Sequence, residues 1–439
     1  MTAENTEGLK REISIFGLAS SVLNNIVGAG IFVLPALIAA ILASASVLAY
    51  IMCGFLIFII MLCFAEIGSK VTSSGGSYAY IQAAFGPFAG FLSYSIFWFG
   101  FGVLSDAAVA NAMVDMLSIP FKFLSNPIIR ACFLLLVFGF FAFINILGVK
   151  HGIRFIVINT MVKLIPLIII VLVGIWSIDA KNLAITEWPG IDKLGKASLL
   201  LFFAFGGAET SLTVSGEIKN PKRTIPYGIL LGIGIVIVLY ILLQIVSQGL
   251  LGPSLVKYPE APLAKIAELL LGRLGWALLI GGAAYSIFVS LSGSIISFPR
   301  LLFASAKNQL APAYLARVHP KFATPFLAII TYTAFDFTFA VFGGFQQLAV
   351  ISSATLLTIY LGVVLASIKL RLKGLAENNQ GFNLPGGLTI HIFALITICW
   401  FLSQLAMNEI IGILLFIALL SGIYLIIPFL KKMKFNSIR

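Results

Sequence analysis

The sequence predicts an all-α integral membrane protein with about twelve transmembrane helices. Three observations lead there. The 439 residues are 60% hydrophobic and only 10% charged, whereas soluble domains carry roughly a quarter charged residues. The apolar residues come in stretches of the length, about 20 residues, that a helix needs to cross the hydrocarbon core. The basic residues gather at stretch ends and in short connections, as the positive-inside rule describes. A chain this apolar has too few polar groups to cover its own surface in water. Lipid removes that requirement, provided that helices satisfy the backbone internally.

The expected spans are 13–40, 42–67, 88–113, 127–148, 155–176, 197–217, 225–248, 273–299, 323–343, 346–369, 387–406 and 408–430. Residues 1–12 are polar and lack a cleavage pattern, so they read as a cytoplasmic tail rather than a signal peptide. Residues 431–439 read as a second short tail. With both termini inside, nineteen lysines and arginines fall on the cytoplasmic side, from Lys10 and Arg11 to Lys434 and Arg439, and eight fall outside, with Lys163 left within a span. A single misassigned span would invert half of that tally.

Other classes fit poorly. The net charge of +12 is spent on topology, so nucleic acid is not an expected partner. Cys53, Cys63, Cys132 and Cys399 lie inside apolar stretches without metal-ligand spacing, so neither a disulfide framework, a metal nor a cofactor is expected. A membrane enzyme would need metal ligands or a Ser/His/Asp set, and His151, His319 and His391 lie at span edges or in loops. A channel would show a continuous polar stripe. A sensor on a transporter scaffold would carry a signalling domain that tails this short do not supply.

Two spans differ from the rest. The first contains Asn24-Asn25-Ile26-Val27-Gly28-Ala29-Gly30-Ile31-Phe32, with Pro35 after it, and the sixth contains Phe203-Ala204-Phe205-Gly206-Gly207-Ala208-Glu209. Glycine weakens a helix in mid-membrane. Small residues there can serve close helix packing. Two such clusters five spans apart instead match two inverted five-helix repeats, 13–176 and 197–369, each opening with a discontinuous helix, followed by two further helices over 387–430. An unwound segment must line a cavity, because lipid cannot satisfy its N–H and C=O groups. Half-helix N-termini favour a carboxylate, and exposed carbonyls favour an ammonium, so the pair suits an amino acid.

Four ionisable residues fall inside spans: Asp106, Lys163, Glu209 and Asp336. Each is costly there and asks for a partner or a role. Glu209, directly after the second glycine pair, is a candidate for binding a cationic side chain or carrying a proton; otherwise it braces the break. Lys163 is a candidate for proton coupling, or for a fixed ammonium in the place of a sodium ion; otherwise it snorkels to the cytoplasmic interface. Asp106, beside Ser105, either meets a cation or is capped structurally. Asp336 is unassigned. Phe203 and Phe205 stand out among 38 phenylalanines by their position at a break, where a ring can gate.

At these residues the sequence resembles the amino acid–polyamine–organocation (APC) superfamily of permeases. Gly28-Ala29-Gly30-Ile31-Phe32 with Pro35 is similar to the family's first-helix motif. Ser74-Gly75-Gly76-Ser77-Tyr78-Ala79-Tyr80 and Phe85-Gly86-Pro87-Phe88-Ala89-Gly90-Phe91 are similar to its loop between helices two and three. Phe203 to Glu209, followed by Gly216-Glu217-Ile218-Lys219-Asn220-Pro221-Lys222-Arg223-Thr224-Ile225-Pro226, is similar to its sixth helix and the loop after it. The last four spans match mainly in hydropathy. The resemblance implies the LeuT-like fold of two five-helix inverted repeats plus two helices. It implies that a substrate carboxylate meets the backbone at Gly28, Ala29 and Gly30, and that its ammonium meets carbonyls near Ile26, Phe203 and Gly206. It puts Phe203 at an aromatic gate, Phe97 and Ser105 on the pocket wall, Lys163 at a proton-coupling position and Glu209 where members that take cationic substrates have a carboxylate. Ala29 departs from the hydroxyl residue of some members. Ser286 and Ser290 are only candidates for a sodium-type hydroxyl pair, which favours protons over sodium. The expected function is alternating-access transport of a cationic or neutral amino acid, proton-coupled and sodium-independent, in the cell membrane, with exchange of amino acids or polyamines as the alternative. The expected partners are the amine substrate, protons and lipid, with the oligomeric state open.

Overall fold

A computed structural model describes residues 11–71, 75–148, 153–213, 215–307, 310–373 and 381–436. Residues 1–10 of the expected N-terminal tail, Ser74 of the loop motif, Lys150, His151 and residues 437–439 of the expected C-terminal tail lie outside them. Among the described residues the chain is helical without a strand, and only Ile13 and Ile218 form a bridge. Among the described residues, eight helical stretches are long and apolar enough to cross a membrane, and Ile15–Ile26, Phe326–Phe342 and Thr389–Leu402 are shorter apolar helices.

The first expected span is two helices, α1 (Ile15–Ile26) and α2 (Gly30–Leu42). Ser14 caps α1 by accepting from the Gly17 N–H at 3.3 Å. At Val27 the backbone leaves the helical region, with φ −73° and ψ 89°. A turn at Ala43–Ala45 leads into α3 (Ser46–Lys70). The expected connection 68–87 contains the nine-residue helix α4 (Ser77–Phe85). Next come α5 (Pro87–Ser95), a stretch of wider π turns at Ile96–Val103, and α6 (Leu104–Ser118), which run as one continuous rod. Helices α7 (Pro127–Leu147) and α8 (Ile153–Gly174) follow.

The sixth expected span is α-helical only in its first part, α9 (Ile191–Phe202). Beyond it lie 3₁₀ turns at Phe203–Phe205, Ala208–Leu212 and Ser215–Glu217. Gly206 is extended (ψ 153°) and Gly207 has φ +114°, a conformation open to glycine at little cost. Helix α10 (Pro221–Leu251) starts on a proline, where a missing N–H costs nothing. Helix α11 (Pro262–Lys307) is broken at Gly272, with φ 70° and ψ −162°. Its first turns, Pro262–Leu271, lie in what the sequence reads as the connection 249–272. A hydropathy reading tuned to membrane length passes over helices as short as α4 and Pro262–Leu271. The chain ends with α12 (Phe326–Phe342), α13 (Phe345–Leu372), α14 (Thr389–Leu402) and α15 (Met407–Asn436).

The broken helix α1 packs against α8 and α10, while α6, α11, α12 and α13 pack around the π-turn stretch. The outside is apolar: Leu135, Leu136, Phe143, Leu172, Leu414, Leu415 and Leu425 are exposed. Such a surface belongs in lipid. At one end Glu66, 1% exposed, binds Lys70 at 2.7 Å and Arg371 at 3.2 Å, and His391 Nε2 lies 3.3 Å away. This network ties α3 to α13 and α14.

Candidate functional site

The two breaks cross. A Cβ added to Gly30 would stand 2.8 Å from Cα and Cβ of Ala204, and one added to Gly207 would stand 2.8 Å from the carbonyl oxygen of Asn25. Only glycine allows these backbones so close. Side chains stitch the crossing: Asn25 Nδ2 donates to Thr210 Oγ1 at 2.7 Å and to Ser211 Oγ at 3.0 Å, and Ser21 Oγ donates to Ser211 Oγ at 3.1 Å.

Beside the crossing is a cavity of about 310 Å³, at the small end of the roughly 300–1,000 Å³ usual for ligand pockets. Its wall includes Ile26, Gly28, Ala29 and Gly30 from the first break and Phe203, Ala204, Gly206 and Gly207 from the second. Ser105, Asp106 and Phe101 face it from the rod containing α6, and Ser290, Ser294 and Phe298 face it from α11. The N–H groups of Gly28, Ala29 and Gly30 donate to no acceptor among the described residues. They open α2, where the helix dipole favours negative charge.

The carbonyl end of α1 is differently equipped. Lys163 Nζ, from α8, donates to Asn24 O at 3.1 Å, Val27 O at 3.3 Å and Ser290 Oγ at 2.9 Å. Ser286 and Ser290 hydroxyls donate to Val27 O at 3.3 and 3.4 Å. Tyr240 donates to Ile26 O at 3.3 Å. The three protons of the ammonium are therefore matched by three oxygens. Lys163 is 2% exposed and points inward to the break rather than toward an interface.

Other expected site residues lie elsewhere. Glu209 is 1% exposed and stands behind the break, outside the cavity wall. Its Oε2 accepts from Tyr360 at 2.5 Å and from the Gly207 N–H at 3.2 Å, and its Oε1 has no partner among the described residues. Phe205 packs on Tyr240, with ring centroids 5.2 Å apart, away from the cavity. Phe203 lines the cavity and meets Phe345 edge-on at 5.6 Å. Phe97 lines a second cavity of about 500 Å³ and stacks on Phe101 at 5.7 Å. Thr210, Thr213, Ile296, Ser297 and Phe298 border both cavities, and the second reaches Gly75, Tyr78, Arg300 and Leu310.

The profile of the family described as amino acid permease matches residues 13–426. The chain belongs to that family. The permease is 29% identical over 390 residues to the serine/threonine exchanger SteT of Bacillus subtilis strain 168, covering 86% of this chain and 87% of the exchanger. It is 28% identical over 340 residues to the human large neutral amino acids transporter small subunit 2, covering 73% of this chain and 62% of that transporter. It is 27% identical over 349 residues to the mouse Asc-type amino acid transporter 1, covering 75% and 64%. The chain thus spans less than two thirds of these two mammalian relatives. Membership places the permease in the membrane and among amino acid transporters rather than enzymes.

Sequence reasoning missed Phe101, Asn25, Thr210, Tyr240 and Tyr360. Phe101 sits in π turns, which add residues to a turn and leave no mark in apolar periodicity. The two tyrosines contribute through contacts distant in sequence. Only Asn25 and Thr210 carried a signal, as polar residues flanking the glycines.

Proposed function

We propose that this permease carries an amino acid across the cell membrane by alternating access. The reading has twelve crossings, two inverted five-helix repeats opening at α1–α2 and α9, two added helices and both termini inside. The observation that carries it is the crossing of two helix breaks beside a small cavity, with N–H donors at Gly28–Gly30 that have no acceptor among the described residues. A substrate carboxylate meets those donors, and its ammonium meets carbonyls near Ile26, Phe203 and Gly206. Phe203 closes over the ligand. The second cavity, which shares five wall residues with the first, leads to the side bearing Gly75 and Arg300, which the charge bias puts in the cytoplasm. The conformation is then inward-facing.

Coupling is assigned to protons. The Lys163 ammonium occupies the ring of α1 carbonyls and α11 hydroxyls that would otherwise suit a sodium ion, so transport is sodium-independent. Proton exchange at Lys163 would release the end of α1 and let the break move. Glu209 would be the second coupling group, since it fixes Gly207 through its N–H. A second reading, amino acid exchange, is favoured by the likeness to a serine/threonine exchanger along most of both chains.

The test is a thermal-shift screen of the purified chain against all amino acids and common polyamines, at two pH values, with and without sodium. A ligand stabilises by RT ln(1 + [L]/Kd), so millimolar ligand registers even when weak. A shift with one amino acid class, unaffected by sodium, is expected. The absence of any shift with amine-bearing ligands would refute the proposal.

A further inference from the structure

Two buried acids have no part in the proposal above. Asp106 stands in the first turn of α6, just after the π turns, and is 4% exposed on the cavity wall. Tyr332 of α12 donates to its Oδ2 at 3.0 Å, and Ser294 lies on the same cavity wall. One helical turn from Tyr332, on the same face of α12, Asp336 is 0% exposed. Neither of its carboxyl oxygens has a hydrogen-bond partner among the described residues.

No cation answers them. No described ion pair includes either acid. Among the described residues of the first cavity's wall, Asp106 is the one ionisable side chain. A charged Asp106 at this depth is costly unless a positive group joins it or a proton neutralises it. The cavity supplies a route for one. Its aromatic wall suits a cation too: Phe298 lies on it and stacks on Tyr332 at 5.6 Å and 13°, and ring faces attract positive charge.

We propose that Asp106, oriented by Tyr332 and backed by Asp336, is the subsite for the positively charged side chain, ammonium or guanidinium, of a basic amino acid. The inference rests on the amino acid reading above. The crossed breaks hold the groups that all amino acids share. Asp106 stands on another wall of the same small cavity and reads the side chain. It supplies the negative charge, while Asp336, fully buried and outside the cavity wall, does not touch the ligand.

The experiment is uptake by the full-length chain in proteoliposomes, with radiolabelled arginine and lysine against serine and leucine. Wild type is expected to take up a basic amino acid. Asp106→Asn is expected to raise the ratio of basic to neutral KM by roughly tenfold or more, the cost of losing a charged hydrogen bond. Asp336→Asn raises it less, and Asp106→Glu restores most of it. Uptake of neutral but not basic amino acids by wild type overturns the inference and leaves the transport reading standing, whereas uptake of neither overturns both. Equal loss of basic and neutral uptake in Asp106→Asn makes the pair a packing element and overturns it. So does a loss confined to the pH dependence of neutral uptake, which would make the pair a proton site. The wild-type comparison decides even if a variant fails to fold.

Discussion

The crossing of the breaks separates glycines that pack from glycines that bind, and substitution by alanine tells them apart. At Gly207 the backbone has φ +114°, and an added Cβ would meet the Asn25 carbonyl oxygen at 2.8 Å. Alanine there pays about 1–3 kcal/mol for the conformation and about 1–3 kcal/mol for the clash, or roughly 2–6 kcal/mol together. Gly30 is not at positive φ, but its Cβ would meet the backbone of Ala204 at 2.8 Å, so Gly30→Ala costs about 1–3 kcal/mol. Gly28 has ordinary space, with Ser290 Oγ the nearest atom at 3.5 Å. Gly28→Ala should therefore leave stability within about 1 kcal/mol, because the lower chain entropy of the unfolded state offsets small losses. The new methyl group instead crowds the N–H donors on the cavity wall. Ligand-free thermal unfolding in detergent, followed by titration of the amino acid found in the screen, measures both effects. Gly207→Ala should unfold well below wild type, while Gly28→Ala should unfold near wild type and bind at least several-fold more weakly. A Gly207→Ala protein as stable as wild type would refute the close crossing. A Gly28→Ala protein with wild-type affinity would refute the role of the N–H groups.

Further outcomes follow from other contacts. Lys163→Met leaves Val27 O two hydroxyl donors but strips Asn24 O of its partner, so stability should fall by about 1–3 kcal/mol and the pH dependence of uptake should flatten; an unchanged pH profile would remove Lys163 from coupling. Tyr360→Phe deletes the 2.5 Å bond to Glu209 and should cost roughly 1.5–3 kcal/mol, measured by unfolding. The conservative Glu209→Gln should cost less and should alter the pH profile if Glu209 carries the proton. Glu66→Gln withdraws the carboxylate from Lys70 and Arg371, whose side chains are 10% and 23% exposed. Solvent access puts the cost at roughly 2–4 kcal/mol, below the fully buried limit, and screening by salt should be weak.

Much of the architecture is local in origin and therefore legible along the chain. Membrane-length apolar runs and the lysines and arginines at their ends determine that the protein is helical and lives in lipid. The Gly28-Ala29-Gly30 and Gly206-Gly207 clusters mark the breaks, because glycine's missing side chain acts on its own backbone. Lys163 was visible for a similar reason: one ammonium in an apolar run demands an explanation wherever the helix goes.

Contacts between helices were another matter. Sequence placed Asp336 nowhere, and the fold buried it one turn from Tyr332, which bonds Asp106. It put Phe97 on the pocket wall, where the structure has Phe101, since π turns shift which ring faces inward. It gave Glu209 and Phe205 to the site, whereas packing turned Glu209 to Tyr360 and Phe205 to Tyr240. Periodicity records how residues repeat along one helix. Which faces meet depends on crossing angles and side-chain fit among distant helices, and those exist only once the chain is packed.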